Sequence, residues 1–133
     1  MQLMPATAQA MAARLKLPYS KPRLTRDPEY NARIGSFYLR QQLARFDDAP
    51  ALALAAYNAG PSRVNIWLGE HGDPRGKSVE TLVDWIERIP FGETRNYVQR
   101  VLEAREIYDV LRRRENACVR QADASPAPRE PNS

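Results

Sequence analysis

Apolar residues recur along this chain at spacings of three and four and nowhere alternate over a useful length, so the elements they predict are helices. Met4, Ala8, Met11 and Leu15 share one face of a first helix, which Pro5 opens at a first-turn position and Pro18 closes. Residues 19–26, rich in proline and basic side chains, read as a loop. Asp27-Pro28-Glu29 then starts a second helix, with Asp27 as N-cap, Pro28 at the first position and Glu29 in the acidic first turn. Tyr30, Ile34, Phe37, Tyr38, Leu39, Leu43 and Phe46 form its broad apolar face. Gly35 within it costs about 1 kcal/mol relative to alanine, so a close helix crossing is expected there.

Residues 49–59 form a third helix, capped by Asp47 or Asp48 and apolar on every side, which buries it. Gly60 supplies its stop, and Pro61 begins the next helix. Tyr57 and Asn58 are the polar side chains of this run. At the rim of a buried helix they are either a hydrogen-bonded structural plug or the wall of a groove. A fourth helix carries Val64, Trp67 and Leu68 inward and ends at Gly69, followed by a glycine-rich loop to Lys77. Ser78 caps a fifth, in which Val79, Leu82, Val83 and Ile86 match the amphipathic template, and Pro90 stops it. After the Phe91-Gly92 turn a sixth runs from about Glu93 to Arg114, with Tyr97, Val101, Ala104, Tyr108 and Leu111 on one stripe. Its acidic start and its basic finish (Arg112, Arg113, Arg114) complement the helix dipole. From Glu115 onward, Pro126, Pro128, Pro131 and few apolar residues predict a disordered tail. The fold class is all-α.

At 133 residues the chain holds one domain and a tail. Of 20 basic and 16 acidic residues, two and three fall after Arg114, so the body carries the larger positive balance. That excess is scattered, suits an acidic polymer in a general way and is no nucleic-acid signature. The single cysteine, Cys118, can form no internal disulfide, and the single histidine, His71, reads as a loop surface residue; no metal site or cofactor is expected. No apolar run reaches the length of a membrane span, and Met1 opens no signal peptide. Trp67 and Trp85, at helical spacing among apolar neighbours, read as core.

Four stretches, taken in order, match one pattern: Met1-Gln2-Leu3-Met4-Pro5-Ala6-Thr7-Ala8; Asp27-Pro28 through Asn31 with Gly35 and Tyr38-Leu39; Ala56-Tyr57-Asn58-Ala59-Gly60; and Ile89-Pro90-Phe91-Gly92-Glu93-Thr94-Arg95-Asn96-Tyr97-Val98. Together they resemble the catalytic domain of soluble lytic transglycosylases, lysozyme-like helical enzymes that cleave peptidoglycan, over about residues 1–112. The resemblance implies a chemistry with a single carboxylic acid. A glutamic acid protonates the glycosidic oxygen between N-acetylmuramic acid and N-acetylglucosamine while the substrate's acetamido group holds the sugar cation. The carboxylate then takes the proton of the 6-hydroxyl, closing a 1,6-anhydro ring, an exception to the two-carboxylate rule. An apolar setting keeps such an acid protonated near neutral pH.

In that family the acid stands in a Glu-Ser pair one helix upstream of the Met1-Gln2 step. Glu29, Glu80 and Glu87 lie at helix starts or on polar faces and do not match it. The expectation is therefore an N-terminally truncated domain at residues 1–114, lacking the helix with the catalytic glutamate and inactive alone, followed by a tail at 115–133. The resemblance assigns substrate contact to Gln2, Met4, Tyr57, Asn58, Glu93 and Tyr97, the last two sharing a face at i, i+4. It implies peptidoglycan glycan strands as partner, a periplasmic parent enzyme, and self-association through the opened groove. A non-catalytic glycan-binding module is the second reading, and a helical protein-interaction domain the third.

Overall fold

Proline marks where helices begin. The computed structural model describes residues 3–124 and contains, among them, seven helices: α1 (Pro5–Arg14), α2 (Lys21–Arg26), α3 (Pro28–Arg45), α4 (Pro50–Ala59), α5 (Pro61–His71), α6 (Val79–Glu87) and α7 (Gly92–Asp123). Each of α1 to α5 has a proline at its first or second position, where the missing N–H costs nothing and φ is already helical. The chain divides after Val98 into two compact units, residues 1–98 and 99–133.

In the first unit α4 is the buried centre. Its residues Ala51 through Ala56 are all buried; Leu52 and Leu54 fill the core, and the alanines between and after them leave room for α3 and α5 to pack against it. Gly35 of α3 faces the Tyr57 hydroxyl, which an added Cβ would meet at 3.0 Å; what comes near it is this side-chain tip and not the backbone of α4, which the close helix crossing expected from the sequence would have brought there. A second cluster joins α1, α2 and α3 through Ala8, Met11, Ala12, Leu24, Tyr30 and Ile34. The Tyr30 hydroxyl donates to the Pro18 carbonyl at 2.9 Å and accepts the Ser20 N–H at 3.0 Å, stitching the connecting segment to α3. Trp67 and Trp85 are core residues, each 3% exposed.

Several local expectations are corrected. The segment read as a loop at 19–26 contains α2, a six-residue helix held by burial of Leu24 and by the Arg23–Asp27 ion pair at 2.9 Å. Neither Asp47 nor Asp48 caps α4; both have positive φ (54° and 59°), and the Asp48 N–H bonds back to the Leu43 carbonyl at 2.8 Å. Asp47 pairs instead with Arg75 at 2.9 Å. Helix α5 passes Gly69 and ends at His71, where Gly72 takes a φ of 81°. His71 is thus in a helix and half-buried, not on a loop surface.

Helix α6 buries Trp85 and Ile86 and exposes Val79 and Val83, because the indole has far more apolar surface to remove from water than either valine. Met4, placed on the inward face of α1, is 73% exposed at its N-cap. In α7 the buried positions are Thr94 and Val98, while Tyr108 (75%) and Leu111 (55%) of the expected stripe face solvent. That helix also continues past Arg114 to Asp123, since residues 115–123 contain no glycine or proline to stop it. The expectation of disorder for residues 125–133 lies outside the described residues. No helix among the described residues is long and apolar enough to cross a membrane.

Candidate functional site

The C-terminal end of α4 presents its polar pair because the small-residue run ends there. Tyr57 and Asn58 follow six consecutive buried residues, and the positive φ of Gly60 (95°) turns the chain directly into α5. Both side chains are half-buried. The Tyr57 ring packs against the Tyr38 ring of α3 with centroids 5.4 Å apart and planes tilted by 47°. The Asn58 side-chain carbonyl accepts a 2.6 Å hydrogen bond from the hydroxyl of Thr94, which is 2% exposed in the first turn of α7. Asn58 is therefore a structural tie.

It is also part of a wall. A cavity of about 320 Å³ is lined by Met4 and Thr7 of the α1 segment, Tyr38 of α3, Tyr57 and Asn58 of α4, and Glu93 of α7. Four of the six expected contact residues thus meet around one cavity. Tyr97 lines a neighbouring cavity of about 250 Å³ with Asn31, Gly35, Ser36 and Leu39, and Tyr57 lines both. Glu93 and Tyr97, expected on one face, consequently serve different sides of Tyr57. Gln2 lies outside the described residues.

The electrostatics favour neutral hydrogen-bonding groups. Burial pushes the phenols of Tyr38, Tyr57 and Tyr97 above the usual tyrosine value, and in Tyr57 the neighbouring Tyr97 and Tyr38 add to the effect. All three remain O–H donors throughout the neutral range. Glu93 is solvent-exposed at the start of α7.

Sequence reasoning missed Tyr38, Thr7 and Thr94 as parts of this site. Each stood inside a stretch of the matching pattern, but Tyr38 read as one residue of an apolar face. Thr94 carried no signal apart from its place beside Glu93; only the fold shows that its hydroxyl meets Asn58.

The Transglycosylase SLT domain family matches residues 1–79, a span that includes Met4, Tyr57 and Asn58 but not Glu93 or Tyr97. The soluble lytic murein transglycosylase of Escherichia coli (strain K12) is 43% identical over 103 residues, which are 77% of this chain and 15% of that protein. A putative soluble lytic murein transglycosylase of Haemophilus influenzae is 35% identical over 116 residues, 87% of this chain and 19% of its own length. Among solved structures, an inactive Glu-to-Gln mutant of the lytic transglycosylase Slt from Pseudomonas aeruginosa superposes with a TM-score of 0.63 at 46% identity, covering 77% of this chain and 16% of that one. The 70 kDa soluble lytic transglycosylase of Escherichia coli gives 0.64 at 42% identity, with the same coverage.

The all-α fold is thus shared with solved lytic transglycosylases. The chain belongs to the SLT transglycosylase domain family. It spans between 15% and 19% of the length of the curated relatives described above.

Proposed function

We propose that the cavity at the end of α4 is the wall of a peptidoglycan-binding groove, in a periplasmic enzyme that cleaves the β-1,4 bond after N-acetylmuramic acid with 1,6-anhydro ring formation. The observation that carries this reading is the convergence of Met4, Tyr57, Asn58 and Glu93, from separate segments, on one cavity that Tyr38 and Thr7 complete. Such a wall suits a sugar: apolar and aromatic surface to cover the ring faces, with a few fixed polar groups for its hydroxyls and amides. The neutral phenol of Tyr57 supplies a donor, and Tyr97 extends the wall on the far side of Tyr57.

The same reading holds that these 133 residues alone do not catalyse cleavage. The Pseudomonas relative is inactive as a Glu-to-Gln mutant, which supports a chemistry resting on one carboxylic acid. Among the described residues, the one carboxylate lining the 320 Å³ cavity is Glu93, which is exposed. A general acid typically contributes about 10²–10⁴-fold, and no second catalytic side chain compensates in this mechanism. The test is turbidity loss on purified peptidoglycan with product analysis. No 1,6-anhydro muropeptides are expected from the 133-residue chain; their release would refute the inactivity.

A glycan-binding module without catalysis is the second reading, favoured by the intact wall. Co-sedimentation with insoluble peptidoglycan tests the groove itself. The chain is expected in the pellet, and Tyr57→Ala combined with Asn58→Ala is expected to leave it in the supernatant. Equal pelleting of both proteins would remove the groove from the account.

A further inference from the structure

Tyr57 is the side chain that both cavities share, so whatever fixes its ring fixes the width of the groove. One side of that ring is set by Tyr38, at 5.4 Å between centroids. The hydroxyl end is set by a glycine. A Cβ at position 35 would stand 3.0 Å from Tyr57 Oη, tighter than nine in ten real Cβ contacts, so the phenol would have to give by a few tenths of an ångström, whereas the next nearest side-chain atom, Asn31 Oδ1, is at an ordinary 4.0 Å. The crowding is thus with the phenol alone. Gly35 lies within the 18-residue helix α3 and is not among the residues with positive φ, so its backbone conformation does not require glycine. Alanine is the better helix former. What position 35 requires is room.

We infer that Gly35 is a positioning residue of the groove: by lacking a side chain it seats the Tyr57 hydroxyl against α3, and a Cβ there displaces the phenol by a few tenths of an ångström in the wall that both cavities share. This rests on the groove reading above. It predicts that Gly35→Ala weakens peptidoglycan binding by up to about tenfold, the worth of the one Tyr57 hydrogen bond that it strains. The loss must pass through the hydroxyl. In a Tyr57→Phe background, Gly35→Ala is therefore expected to change binding little, because the atom it strikes is gone.

The experiment compares the 133-residue chain, Gly35→Ala, Tyr57→Phe and the double variant by co-sedimentation with insoluble peptidoglycan and by thermal melting. A parallel set carries fluorotyrosine, and fluorine NMR identifies the Tyr57 signal as the one of six tyrosine signals that Tyr57→Phe removes. Gly35→Ala is expected to move that signal more than those of Tyr19 and Tyr108. Binding by Gly35→Ala equal to the parent, or an equal loss in both backgrounds, overturns the inference. If Gly35→Ala fails to fold, the double variant must fold; failure of both overturns it as well. If the parent chain itself does not bind peptidoglycan, the groove reading fails, and the Tyr57 signal alone still decides whether Gly35 positions the ring.

Discussion

At the end of α4 the Asn58 carbonyl accepts a 2.6 Å hydrogen bond from Thr94, so a side chain on the cavity also ties α4 to the first turn of α7. The alternatives of plug and wall, open in the sequence, therefore do not exclude one another: Asn58 is held as a plug is held, and the residue still lines the cavity. The geometry makes Thr94 a support for the wall, and it can be tested apart from the wall. Thr94 is 2% exposed, so Thr94→Val keeps the shape and removes the donor, leaving one hydrogen bond unmade in a site largely closed to water. The expected cost is about 1 kcal/mol of stability, read from urea denaturation, together with weaker co-sedimentation with peptidoglycan. Thr94→Ser, which keeps the hydroxyl, should restore both. A Thr94→Val chain as stable and as tightly bound as the parent would show that the bond does not position Asn58.

The elements that sequence reasoning read well are those whose signals are covalent and local. Pro28 after Asp27 marked the start of α3, and in the structure the Asp27 carboxylate does accept the Tyr30 N–H at 3.2 Å. Ser78 likewise caps α6 through the Thr81 N–H at 3.2 Å. Gly60 and Pro61 marked the α4–α5 junction for similar reasons. Gly60 has φ 95° and ψ 148°, a region that side chains avoid, and a Cβ there would meet nothing within 4 Å, so glycine is required for its backbone alone. Gly60→Ala is accordingly expected to destabilise the chain by about 1–3 kcal/mol, seen as a lower midpoint in chemical denaturation. An unchanged midpoint would mean that the junction relaxes to another path. Misread elements were those in which tertiary context chose among equal local options. Periodicity marked Trp85 as core but could not say that Val79 and Val83 would be left exposed on α6, or that Leu24 would be buried and hold α2 together. For the site, the matching stretches named Tyr57, Asn58, Met4 and Glu93, but Tyr38 and Thr94 join them through packing between helices, which no single stretch encodes.

Across the first unit, Arg75 links two corners that are distant in sequence. Its guanidinium holds Asp73 at 2.6 Å within its own loop and Asp47 at 2.9 Å at the α3–α4 corner. The Arg75 hydrogen bond keeps the Asp73 carboxyl below its ordinary value of 3.8, and Arg23 does the same for Asp27, helped by the Tyr30 N–H. Because both folded values are lowered, each carboxylate contributes stability that is fully present above its unfolded pKa and is lost as pH falls through the folded one. Both pairs are substantially exposed, so the contribution is modest and screened by salt. Asp73→Asn should therefore melt below the parent near neutral pH in low salt. The gap between the two should narrow as pH is taken down from about 5 towards and below 3, and it should also narrow at about 1 M salt at neutral pH, where the screening length is only about 3 Å. A gap that persists unchanged at low pH would mean that the Asp73→Asn chain loses stability through loop geometry rather than charge. A gap that survives salt but closes with acid would assign the link to the short, directional Arg75 hydrogen bonds more than to the field between the charges.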